Sequence, residues 1–149
     1  WNGLTYMTDA GILAEHMVWA STSPEGADEP FNIVNGDVFR WRWMWPRLAA
    51  HLGVDPARVV GYEDAPRPLE EQMAPYESEW AGIAERHGLA EADITRLASW
   101  WHTDADLGRA MEVVTDMGKS RDAGLTAFRR TEQAFADLFA RYRADRLIP

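Results

Sequence analysis

The sequence predicts a mostly helical α/β chain, on three observations. Apolar residues recur at helical spacing in several separate stretches. Short apolar runs at 31–35, 59–60 and 111–115 interrupt them as isolated strands. No internal repeat or low-complexity tract points to an array or a disordered tail. With 149 residues, 46% of them apolar and 26% charged, the chain has material for one core. A domain of this size buries roughly 68–70% of its extended surface.

Thr8 and Asp9 are helix-capping types, and Ile12, Leu13, His16, Met17 and Ala20 follow on one face, predicting a helix over 9–21. Ser23-Pro24-Glu25-Gly26 ends it in a polar turn. Residues 31–35 (Phe-Asn-Ile-Val-Asn), closed by Gly36-Asp37, read as a strand whose apolar run wants cover on both faces. Trp45, Leu48, Ala49 and Leu52 predict a second helix stopped by Gly53, with a looser turn over 39–44 because Pro46 breaks the ladder. Val59-Val60 marks a second strand within 57–62, and 63–68 is a proline-broken connector. Residues 69–87 form one or two helices interrupted near Pro75, with Trp80, Ile83 and Ala84 on the apolar side. A short helix over 91–99 leads into a loop of Trp100-Trp101-His102-Thr103. A third strand lies at 111–115, and a short helix over 119–123 stops at Gly124. Thr131 caps a last helix carrying Phe135, Leu138, Phe139 and Tyr142 at i, i+3, i+4 and i+7.

Composition excludes whole classes of chemistry. Fifteen basic against twenty-four acidic side chains leave a net charge of −9, which repels phosphate backbones and anionic lipid, so no nucleic acid or membrane partner is expected. No cysteine means no disulfide, thiolate metal site or thiol nucleophile. No apolar run reaches the roughly 18 residues of a membrane span, and no signal peptide is visible, so a cytoplasmic location is expected. There is no G-x-G-x-x-G, P-loop, G-x-S-x-G or H-E-x-x-H motif. No tyrosine has lysine four residues downstream; Lys119 is the one lysine among fourteen arginines. His16, His51, His87 and His102 never pair at helical spacing, so no metal site is expected. Acidic neighbours such as Glu70-Glu71 and Asp104 with Asp106 read as solvated surface.

Two aromatic groups are candidates for binding. Trp41, Trp43 and Trp45 alternate with Arg40, Arg42 and Met44 in a pattern that could stack bases, but the acidic total speaks for helix core. Trp100-Trp101 beside His102 reads either as a hydrophobic plug or as the wall of an apolar pocket. These three are the candidate substrate-binding residues.

The stretch Glu29-Pro30-Phe31-Asn32-Ile33-Val34-Asn35-Gly36-Asp37-Val38-Phe39-Arg40-Trp41 resembles the carboxyl-terminal part of extended, atypical short-chain dehydrogenases, in particular the progesterone 5β-reductase and iridoid synthase-like enone reductases. Trp1 through Thr8-Asp9-Ala10, Trp100-Trp101, and Asp116-Met117-Gly118-Lys119-Ser120 before Gly124 agree in order. The resemblance implies a substrate lobe plus the last strand and helices of a Rossmann-type fold, with residues 31–35 at one side of the central sheet. It implies that residues 1–149 are the substrate-binding region, and that the glycine loop and catalytic Tyr and Lys lie in an amino-terminal half absent from this chain. It assigns Lys119 to a structural motif. NAD(P)H is expected for the intact protein and no cofactor for this part, which would be inactive alone; the substrate would be a small apolar activated alkene or carbonyl. His102 departs from the aromatic residue expected there. The alternatives are a free-standing binding module and the lobe of a sugar-nucleotide epimerase or dehydratase. The expected partners are the upstream half and a second copy in a homo-oligomer.

Overall fold

A two-residue strand, β1 at Leu4–Thr5, leads to Asp9, whose carboxylate accepts the N–H groups of Gly11 and Ile12 at 2.8 and 3.4 Å. That cap starts α1, Ala10–Thr22, within a residue of the predicted position. The structure, a computed structural model, describes residues 1–61 and 67–149. Of the predicted core face of α1, Ile12 and His16 are buried, but Leu13 is 38% and Met17 63% exposed. The face is only half used: His16 lies against Phe31 and 3.4 Å from Ser120 Oγ, while Leu13 and Met17 stay open.

Residues 31–35 are not a strand, a correction to the expectation. A ladder needs a neighbouring strand about 4.8 Å away, and side chains and loops stand there instead. Thr8 Oγ1 donates to the Ile33 carbonyl at 3.0 Å, and Lys119 Nζ to that of Pro30 at 2.9 Å. Ser120 Oγ donates to the Asn32 carbonyl at 3.3 Å. Among the described residues, the N–H groups of Phe31, Asn32 and Ile33 donate to nothing.

Asn35 closes the segment and ties the fold together. Its side chain is 1% exposed, accepts Asp9 N–H at 2.7 Å and donates to Thr131 Oγ1 at 3.0 Å. Two residues on, Asp37 accepts Thr131 N–H at 2.9 Å and its hydroxyl at 2.6 Å. Thr131 was expected to cap the last helix itself. It is instead the first helical residue, and Asp37 caps it from across the fold. Gly36 between them has φ +101°, the left-handed region that glycine adopts without strain.

Strand β2, Phe39–Arg40, pairs antiparallel with β1, Leu4 opposite Arg40 and Thr5 opposite Phe39. Helix α2 follows at once, Trp41–His51, four residues earlier than predicted. Pro46 lies in its second turn, where it forfeits one early ladder bond and leaves the rest intact. Phe39, Met44 and Leu48 form the buried centre, packed by Trp41, Trp45, Phe135 and Phe139.

Val59 and Val60 follow a single turn at Pro56–Arg58 and form no strand over 57–61; Val60 is 72% exposed. Tyr62 and residues 63–66 of the predicted 63–68 connector lie outside the described residues. Helices α3, Leu69–Met73, and α4, Glu77–His87, are split at Ala74–Tyr76 as Pro75 predicts. The helix expected over 91–99 shrinks to one turn, Ile94–Arg96, started by Asp93. Helix α5, Trp100–Leu107, occupies the predicted aromatic loop. Residues 111–115 form no strand either, sharing with β1 one backbone bond from Val113 N–H to the Leu4 carbonyl, 3.2 Å. Helix α6, Gly118–Asp122, and α7, Thr131–Ala144, complete the chain, and α7 lies against α2.

Candidate functional site

Helix period explains why the predicted aromatic loop is helical. Trp100, Thr103, Asp104 and Leu107 recur at i, i+3, i+4 and i+7, and these are the half-buried positions of α5. They face α3. Asp104 fixes that contact: its two carboxylate oxygens accept Leu69 N–H at 2.7 Å and Glu70 N–H at 3.0 Å. Pro68 precedes α3 and supplies no side-chain cap, so a carboxylate from another helix does the capping.

The three candidate residues share one helix but not one face. Trp100 turns inward, and its indole Nε1 is buried with no hydrogen-bond partner. Trp101 is 65% exposed. Its ring meets His102 edge-on, centroids 5.5 Å apart. His102 points outward as well, with Nε2 3.8 Å from Asp106 Oδ2, and Asp106 is held by Arg109 at 2.6 Å. The outer face of α5 therefore presents an apolar indole beside an imidazole that can donate or accept a hydrogen bond. The carboxylate of Asp106 biases how that imidazole sits. Sequence reasoning missed Asp104 by reading it as solvated surface; the uncapped start at Leu69 was the signal that a remote acceptor was needed.

No family model matches the chain. Individual proteins do. An (S)-8-oxocitronellyl enol synthase of Camptotheca acuminata is 33% identical over 151 aligned positions, and one of Antirrhinum majus is 34% identical over 150. A 3-oxo-Delta(4,5)-steroid 5-beta-reductase of Arabidopsis thaliana is 29% identical over 150. Each alignment takes in the whole chain and spans 38% of the relative's length. The chain is a homologue of these enol synthases and 5-beta-reductases. The resemblance read from Phe31 through Trp41 thus stands, although in the enol synthase homologue that block is chiefly architectural: Asn35 and Asp37 anchor two helices.

The glycines with positive φ, Gly36, Gly53, Gly88 and Gly124, lie at separate turns. The acidic Asp37 beside Gly36 is committed to Thr131. No cradle of consecutive N–H groups results. Among the described residues, no helix is long and apolar enough to cross a membrane.

Proposed function

We propose that residues 1–149 are the substrate-binding region of an NAD(P)H-dependent oxidoreductase acting on an activated alkene or carbonyl. The observation that carries this is the outward face of α5, where Trp101 and His102 stand exposed on a chain homologous throughout to enol synthases and a steroid 5-beta-reductase. An indole in water is an apolar surface in want of a ligand or a covering segment. In this reading Trp101 supplies the wall, His102 adjusts it to a polar group of the substrate, and Asp104 holds α5 in position. The cofactor, the Rossmann sheet and the hydride chemistry belong to a further part of the protein.

A chimera tests it. Residues 1–149 are exchanged for the aligned part of the Antirrhinum enol synthase, and NADPH oxidation is followed with a panel of enones and enals. Turnover that falls on Trp101→Ala while the melting temperature holds supports the proposal. An inactive but folded chimera, combined with ligand binding by the 149-residue chain alone, would favour the free-standing module. The chain alone is expected to bind no NADPH; micromolar binding in a fluorescence titration would refute the division of labour.

A further inference from the structure

A cleft of about 140 Å³ opens between the residue 34–38 segment and the residue 114–121 segment. Val34, Val38, Val114 and Met117 are its apolar members, and its polar lining includes Asp37 and Asp116 as well as Arg121. An engineered apolar cavity of about 150 Å³ admits benzene, so one ring or a short branched chain fits this space.

The charges here are unevenly committed. Both oxygens of Asp37 are taken by Thr131, and Asp116 Oδ1 accepts Gly118 N–H at 2.8 Å. Arg121 is different. Among the described residues its guanidinium makes no ion pair and donates no hydrogen bond, in a chain with nine more acids than bases. Its Nη2 lies 3.6 Å from where a Cβ would stand on Gly36, an ordinary contact distance, which sets the guanidinium beside Gly36 at the cleft. Phe128 covers the other side of Gly36, and a Cβ there would meet its ring at 2.7 Å.

We propose that this cleft binds a small apolar monocarboxylate, its anion on Arg121 and its body between Val34, Val38, Val114 and Met117. A guanidinium matches a carboxylate with two parallel N–H bonds. Asp37 and Asp116 also line the cleft and outnumber its one cation, which weakens any anion bound there and disfavours the more highly charged phosphate most. Exposed ion pairs are weak, so the affinity expected is millimolar. This site uses neither Trp101 nor His102 and does not depend on the reading given to them.

The test is an amide and guanidinium ¹H–¹⁵N titration of the 149-residue chain with benzoate, against benzyl alcohol and inorganic phosphate. Benzoate should shift the Gly36 and Val114 amides and the Arg121 Nε–H group together and saturably, and the two controls should not. Arg121→Gln should weaken benzoate by about tenfold, the loss of one bidentate pair, and Arg121→Lys by less. Val114→Trp fills the cleft while leaving the guanidinium in place, and should abolish the shifts. Equal shifts with benzyl alcohol or phosphate, benzoate binding unchanged in Arg121→Gln, or no saturable shift at all would overturn the proposal.

Discussion

Trp100 and Trp101 are neighbours in sequence and opposites in the fold: Trp101 keeps 65% of its surface in solvent, while the indole N–H of Trp100 is buried without an acceptor. A helix turns adjacent side chains by 100°, which here is enough to send one indole inward and the other out. The pair is therefore one anchor and one free ring, and the two should respond differently to substitution.

For Trp101→Ala the expected loss of stability is within about 0.5 kcal/mol, the usual range for surface positions. Trp100→Ala should cost about 3 kcal/mol through lost packing against α3. Trp100→Phe should cost much less, because it removes a buried donor whose lack of a partner itself costs about 1–3 kcal/mol. Urea unfolding of the three variants checks the order.

The Thr131 hydroxyl joins two side chains, receiving from Asn35 and donating to Asp37. Thr131→Val keeps the shape and removes both bonds. Leaving buried polar atoms unpaired should cost about 2–3 kcal/mol. Thr131→Ser, which retains the hydroxyl, should recover most of that in the same unfolding assay.

The helices whose apolar spacing is regular were legible in the sequence, α1 and α7 to within a residue or so. The short strands were not. Val59-Val60 and residues 111–115 have the side chains of strands, yet pairing is a property of two segments, and composition cannot say whether a neighbour arrives. The loop assigned to Trp100-Trp101-His102 failed for a related reason. Ser99 gives α5 no side-chain cap, so no local signal announces its start, and what holds it is the contact with α3. At the candidate site the residues were visible but their division into inner and outer faces was not.

Asp104→Ala should release the first turn of α3. The expected cost is about 1 kcal/mol, that of a lost helix cap. The sharper readout is amide exchange, which should accelerate at Leu69 and Glu70 and leave α7 unchanged. Exchange that rises everywhere alike would mean global destabilisation instead.

Glu112 predicts an acid response at the other end of the chain. The N–H of Leu4, and after it the guanidinium of Arg40, hold its carboxyl below the ordinary value of 4.5. A carboxyl depressed in the folded state stabilises the fold above its unfolded pKa and loses that contribution as pH falls through the folded value. The Leu4 amide shift should therefore titrate with a midpoint below 4.5. In Glu112→Gln that titration should vanish.

The unspent N–H groups of Phe31, Asn32 and Ile33, with the exposed Met17 and Val18 of α1, predict that the chain alone self-associates. Light scattering at micromolar concentration should find a dimer or larger species. A monodisperse monomer would show that the chain covers its own edge.

The bond between Asn35 and Thr131 also sets a clock for synthesis. Its partners are 96 positions apart. At about 5–20 residues per second, a ribosome takes roughly 5–20 s to make the second after the first. Throughout that interval Asn35 and Asp37 exist on a nascent chain in which α7 has not been translated, so their bonds to Thr131 can form only after that helix is made. A truncated product ending before Thr131 would lack the lock entirely, and should be a preferred substrate for cellular proteolysis.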